Sequence, residues 1–239
     1  LWDAGAGMVV EDDLVGRSCF AGLDLASTTD LAAWVLRFPA ENGRPPAVLW
    51  RFWTPEAQLR SLDRYTAGAA STWVAQGLLT ATEGDWIDYE GDETTGRSGS
   101  GMAIHPQIAA DHGRFRILKV GYDQAQATAT AQFMQRLGLD IAPVPQGFGV
   151  SAALKEIMRL VKHDAEHGDE LLLGHGGHPV ARWNVDSAEV KRDDGDRIKL
   201  VKPDRSKSGA RIDGLAALSN AVKVELEHIE HGDIVAAVW

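Results

Sequence analysis

The chain has 239 residues, room for one large domain or two small ones, and 44% of them are apolar, enough for a substantial core. No run of about 18 apolar residues occurs, so no membrane-spanning helix is expected, and the start, LWDAGAGMVVEDD, does not read as a signal peptide. A net charge of −10 argues against general affinity for nucleic acid, and a single cysteine, Cys19, leaves no internal disulfide; it reads as core filler in a reducing, cytoplasmic setting.

Residues 1–17, weakly periodic and acidic, read as a tail or linker from a preceding domain, with 18–239 as the folded unit. SCFAGLDL (18–25) is predicted as a strand, ASTTD as a turn and LAAWVLRF (31–38) as a second strand, a hairpin whose first strand carries Asp24. AENGRPP turns again, and AVLWRFW (47–53) is a third antiparallel strand. Thr54 as N-cap with Pro55 at the first helical position predicts a helix start, with helix and connector to about residue 76. Residues 80–90 read as a short irregular β segment, and GDETTGRSGSG (91–101) as a flexible surface loop. Helix signals resume at 102–112. RILKVGY (116–122) is a buried parallel-type strand ending at Asp123; a helix over 125–137 and a strand over 140–144 complete a βαβ unit. The loop 146–149 leads to a helix over 151–163 with Ser151 as its cap, and short strands and turns are expected over 171–201. Asp213 opens the last helix, 212–228, where Leu215, Leu218, Val222 and Leu226 recur every three or four residues.

Asp24, Asp123 and Asp213 each stand at the polar end of an apolar segment: two strand ends and one first helical turn. A single such aspartate is usually a turn former or a cap. Three of them, far apart in sequence, point to a carboxylate cluster for Mg²⁺ or Mn²⁺, hard ions that prefer oxygen ligands. Two ions about 3.5–4 Å apart can hold a phosphate between an activated water and a leaving 3′ oxygen. Asp24 would bridge both ions, with Asp123 and Asp213 each favouring one.

From Lys191 to Arg211, eight basic residues stand against four acidic ones, a local +4 in a chain of −10. This is either a solvated hairpin and loop or a strip facing DNA. In the second reading Lys199, Lys202, Arg205, Lys207 and Arg211 contact phosphates, and Lys207–Gly209 form a mobile loop. Arg211 is equally suited to an ion pair with a nearby acid, and Asp30 is expected across the hairpin turn from Asp24. A zinc site at His163, His167, His175 and His178 is disfavoured, because the helical motif wants Glu beside its first His and this chain has Asp164; surface histidines near a helix C-terminus are the simpler account. Trp34, Trp50 and Trp53 read as core.

Hairpin, third strand, βαβ unit and final helix follow the layout of the ribonuclease H-like fold: α/β, with a central mixed sheet of antiparallel hairpin strands plus parallel strands, flanked by helices. GLDLASTTDLAA, VGYDQAQAT, the Gln146-Gly147 loop, HPVARWNV and KLVKPDRSKSGARIDGLAAL, in this order, resemble the C-terminal nuclease domain of the phage DNA-packaging terminase large subunit over roughly residues 18–228. The resemblance implies a two-metal-ion endodeoxyribonuclease that cleaves concatemeric double-stranded viral DNA in the host cytoplasm, with Asp24, Asp123 and Asp213 as catalytic metal ligands. It also implies an ATPase motor domain, a small terminase subunit and a portal as partners. No GxxxxGK[ST] loop occurs, so the motor is expected outside these residues, with 1–17 as the linker from it. The alternatives are another ribonuclease H-like nuclease of the resolvase or transposase kind and a non-catalytic DNA- or portal-docking module. A sugar-kinase or actin-like ATPase fits less well, since its phosphate loop wants Gly at Ala26 and its fold is doubled.

Overall fold

The computed structural model describes residues 1–26, 30–125, 127–167, 170–201 and 209–230. Three long apolar segments rich in Trp, Phe, Val and Leu form β1 (Ser18–Asp24), β2 (Ala32–Phe38) and β3 (Ala47–Pro55), an antiparallel meander. Their near-continuous burial follows from helices on both faces of the sheet. β4 (Thr80–Thr82) adds in parallel beside β3, while β7 (Arg116–Tyr122) and β8 (Ile141–Pro143) extend the other side in parallel from β1. The strand order is β4-β3-β2-β1-β7-β8. This is the ribonuclease H-like sheet expected from the sequence.

Among the described residues the α-helices are α1 (Glu56–Thr66), α2 (Ala69–Ala75), α3 (Ile104–Arg114), α4 (Thr128–Arg136), α5 (Ser151–Glu166), α6 (Pro179–Asp186) and α7 (Asp213–Glu230). Alternate residues of β1 serve opposite faces. Cys19, Ala21 and Leu23 join Trp34, Trp53 and the residues of α3 and α4 in one core. The other face is closed by α5, α6 and α7, with Trp50, Phe52 and Leu215 among its core residues. Cys19 is fully buried, and burial raises its thiol pKa well above the ordinary range, so it packs rather than reacts. Trp34, Trp50 and Trp53 are core residues, each donating its indole N–H: to Asp111 Oδ2 (3.1 Å), His175 O (2.9 Å) and Met102 O (2.8 Å).

Several local expectations give way to tertiary structure. Thr54 and Pro55 end β3; α1 begins at Glu56 and Thr54 makes no cap bond. Ser151 is the first residue of α5, and its hydroxyl accepts the Ile198 N–H (3.0 Å) instead of capping the helix. The Gly/Ser/Thr-rich stretch 91–101 is tied down by an Asx turn at Asp92 and by the hairpin of β5 (Arg97–Ser98) and β6 (Gly101–Met102). Between residues 171 and 201 the hairpin of β9 (Glu189–Arg192) and β10 (Ile198–Val201) is present, but α6 precedes it. Pro179 at the first position of α6 was its readable signal. Residues 27–29 of the first turn and Gln126 of the fourth-helix segment lie outside the described residues.

Residues 1–17 pack against this frame. The Trp2 ring stacks on His175, centroids 3.9 Å apart. Leu14 enters the core, and Arg17 donates to Pro39 O (2.8 Å) and Pro45 O (2.9 Å). Glu11 takes a two-pronged bond from Arg51 (2.7 and 3.0 Å), and Arg51 also reaches the fully buried Asp111 (3.2 Å).

Candidate active site

The sheet register places the first two aspartates together. β1 and β7 are parallel, with Gly22 opposite Gly121 and Leu23 opposite Tyr122, so Asp24 and the residue after β7, Asp123, are neighbours at the carboxyl ends of adjacent strands. Parallel strands lie about 4.8 Å apart. Orientation follows from the period of two. A Cβ on Gly22 would meet the α7 backbone, at 2.7 Å from Ala221 N, and one on Gly121 would meet Asn220 O, so both glycines face α7. Asp24, the last residue of β1, belongs to that same face, while Asp123 follows directly on the end of β7, where its Oδ1 accepts the Ala125 N–H (3.0 Å).

The third aspartate arrives on α7 itself, which crosses this face from over β3 to over β7. Gly214 lies against the Phe52 ring. Phe52 pairs with Ala33 and Ala33 with Asp24, so the start of α7 meets the sheet in the row of strand positions that contains Asp24. Asp213, the first residue of α7, is 2% exposed. Two asparagines fix the helix. Asn184 of α6 accepts the Gly214 N–H (2.7 Å), satisfying one of the unpaired first-turn donors. Asn220 donates to Leu23 O (2.9 Å), next to Asp24, and accepts from Gln146 (3.2 Å). The sequence reading passed over both residues; Asn220 stands outside the stripe of Leu215, Leu218, Val222 and Leu226, so the periodicity of the last helix did not mark it.

Tyr89, on the loop after β4, was also passed over and carries no sequence signal. Its hydroxyl donates to Ala26 O (2.7 Å), and burial, then the charge of Asp24, pushes its pKa up to about 12. Arg211 is buried; its guanidinium donates to Gly209 O (2.8 Å) and Ala210 O (3.2 Å) and lies 3.5 Å from Asp30. The ion pair considered for Arg211 is therefore present, with the aspartate of the first turn as one partner. Among the described residues, no three His, Cys, Asp or Glu side chains are gathered so as to hold a metal ion. Asp24 and Asp123 stand at adjacent strand ends and Asp213 opens the helix laid over the sheet, and among the described residues they do not close into a ready cage.

The histidines do not converge either. His163 and His167 stack on each other at the end of α5, the surface placement expected. His175 and His178 differ from that expectation. His175 is buried against Trp2, and His178, tilted over Phe52 at 5.3 Å, has its pKa lowered to about 4 by burial and then by the charge of Arg51.

The basic strip begins on the β9–β10 hairpin. Arg192 pairs with Asp196 and Arg197 with Asp193 (2.7 Å), so much of its charge is locally balanced. Lys199 Nζ lies 5.0 Å and the Arg197 guanidinium carbon 5.3 Å from the centre of the Phe148 ring, a pair of cation–π contacts. Phe148 belongs to the turn after β8, which runs parallel to β7, so this hairpin sits at the strand ends that carry Asp24 and Asp123. Lys202, Arg205 and Lys207 lie outside the described residues.

A ribonuclease H-like sheet with aspartates at the ends of its first and fourth long strands and at the start of its last helix defines the class: a nuclease-type α/β domain. The chain belongs to the family of terminase large subunit endonuclease domains, whose model matches residues 1–229. It is 28% identical over 214 residues to the terminase large subunit of Enterobacteria phage HK97, covering 86% of this chain and 37% of that protein. It is 25% identical over 215 residues to protein YmfN of Escherichia coli strain K12, covering 87% of this chain and 43% of that one. The crystal structure of the HK97 bacteriophage large terminase aligns with a TM-score of 0.74 at 26% identity, over 93% of this chain and 42% of that chain. The chain thus spans about two-fifths of the length of the curated relatives it matches.

Proposed function

We propose that this domain is a metal-dependent endonuclease that cuts concatemeric double-stranded DNA during viral genome packaging. The observation that supports the reading is the parallel register of β1 and β7, which brings Asp24 and Asp123 to adjacent strand ends beside the sheet face that α7 covers, with Asp213 as the first residue of that helix. The donor set suits hard divalent cations: three carboxylates, with no thiolate or imidazole assigned. Asp24, Asp123 and Asp213 would hold Mg²⁺ or Mn²⁺, two ions in the full form of the reading. When bound, such ions supply a water acidic enough to attack phosphorus and charge to stabilise the leaving oxygen.

The rest falls to the chain. Lys199, beside Phe148 at the same edge, anchors the DNA backbone, and Lys202, Arg205 and Lys207 continue that strip in sequence. Arg211 serves by holding the approach to α7 against Asp30. The partners proposed are a preceding ATPase motor joined through residues 1–17, a small terminase subunit and a portal, in the host cytoplasm. Among the described residues no helix is long and apolar enough to cross a membrane.

Digestion of supercoiled plasmid with Mn²⁺, Mg²⁺ or EDTA tests the reading. Nicking and linearisation are expected with metal and not with EDTA. Loss of a ligand's outer partner alone costs about 10–100-fold in such sites, so Asp24→Asn, Asp123→Asn and Asp213→Asn should each lose at least about 100-fold while melting as folded proteins. Wild-type cleavage in any of the three removes that residue from the site. No cleavage by the wild type under any metal favours the non-catalytic docking reading.

A further inference from the structure

The backbone around Asp24 is gripped from two sides by side chains that are not themselves metal ligands. On the α7 side, Asn220 donates to the carbonyl of Leu23, one residue before Asp24. On the other side, Tyr89 donates to the carbonyl of Ala26, two residues after it. The loop that delivers Tyr89 is well fastened. Tyr89 O accepts the His105 N–H (2.8 Å), and the Tyr89 ring meets His105 edge-on at 5.9 Å. Asp88 Oδ1 accepts the N–H groups of Glu90 (3.0 Å) and Gly91 (2.9 Å). His105 is held in turn by Thr130 (3.0 Å) and by stacking on Phe133 at 4.3 Å. A chain of packed, bonded groups therefore runs from α3 and α4 to Ala26, two residues beyond the end of β1.

We propose that Tyr89 is a positioning residue for the metal site: by holding Ala26 O it fixes how β1 ends, and so where the Asp24 carboxylate presents its oxygens. The proposal rests on the reading of Asp24 as a metal ligand. Asn220 holds the Leu23 side whether or not Tyr89 acts, so removing the phenol hydroxyl would loosen the Asp24 backbone on one side only. The physical logic is that of outer partners at metal centres, whose loss typically weakens metal affinity or activity about 10–100-fold without removing a ligand.

The test uses the 239-residue chain with Tyr89→Phe, which keeps the ring against His105, and Asp24→Asn as reference. Mn²⁺ binding is read directly from the electron paramagnetic resonance signal of free Mn²⁺, and the half-saturating Mn²⁺ concentration from plasmid nicking. The expected result is Mn²⁺ affinity about 10-fold weaker in Tyr89→Phe, most of the maximal nicking rate recovered at saturating Mn²⁺, and a melting temperature lowered by no more than about 2–4 °C for one lost hydrogen bond. Wild-type Mn²⁺ affinity in Tyr89→Phe, with binding impaired in Asp24→Asn, overturns the positioning role and leaves the metal reading standing. Wild-type Mn²⁺ binding in Asp24→Asn overturns the metal reading, and this proposal with it. A lowered melting temperature with unchanged Mn²⁺ affinity makes Tyr89 merely structural and also overturns it.

Discussion

Gly22 and Gly121 face each other across β1 and β7, and the backbone of α7 runs against both. Hydrogen on Cα is all that fits there: an added Cβ at Gly22 would clash with Ala217 O and lie 2.7 Å from Ala221 N. The neighbours are helix backbone, which cannot rotate away as a side chain can. Gly22→Ala should therefore cost about 3 kcal/mol or more, at the upper end for overpacking a core, because α7 must lift from the sheet. Urea unfolding measures this, and a loss under about 1 kcal/mol would show that the helix can slide aside. The same substitution should impair cleavage beyond its effect on stability, since Asp213 travels with the helix. Asp24 and Asp123 could be read from the sequence because each ends an apolar run. The glycines two residues earlier, which admit the third aspartate, carry no local sign of that duty.

At the scale of elements, α6 shows how an unremarkable helix supports a site. Its Asn184 accepts from the first turn of α7, and His178 stands at its start over Phe52. Burial and the nearby Arg51 keep His178 neutral in the folded state down to about pH 4, whereas in the unfolded chain it protonates near its ordinary value of 6.5. Between those values the unfolded state binds the extra proton, so stability is lost as pH falls from about 6.5 to about 4 and is full above that window. The loss should be on the order of 2–3 kcal/mol. Replacing His178 with Gln should flatten the slope, as urea midpoints at pH 7 and pH 4.5 would reveal; an unchanged slope would place the titration elsewhere. The helix start predicted at Thr54–Pro55 shows the converse. The capping residue types are present, but pairing of Trp53–Pro55 with β4 outweighs the local preference.

For the whole molecule, the first 17 residues behave as part of the fold. Glu11, Arg51 and Asp111 form a largely buried ionic cluster that joins the chain start to β3 and α3. Desolvation raises the pKa of Glu11, but Arg51 and Arg114 outweigh it and hold the carboxyl below its usual range. Trp2, 8% exposed, stacks on His175 and packs edge-on to Trp50. Trp2→Ala should destabilise the domain by about 3 kcal/mol. A melting temperature unchanged by the substitution would return this segment to the status of a passive linker. The basic strip belongs to this scale too: its hairpin residues are far from Asp24 in sequence, and only the parallel placement of β8 beside β7 puts Phe148 and Lys199 at the strand ends that carry Asp24 and Asp123.

The sequence by itself determined the order of the long strands and helices, the βαβ unit, the buried tryptophans and the three aspartates, because period-two and period-3.6 apolar patterns and polar ends of apolar runs are local signals. It missed α6, the docking of the chain start, the burial of His175, the half-buried place of His178 against Phe52, and the bracing of Asp24 by Tyr89 and Asn220. Those were decided only when distant segments met, since a hydrogen bond between residues 89 and 26, or a helix backbone resting on two glycines, depends on strand register and layer packing. Neighbouring residues along the chain cannot encode where a segment a hundred positions away will press against them.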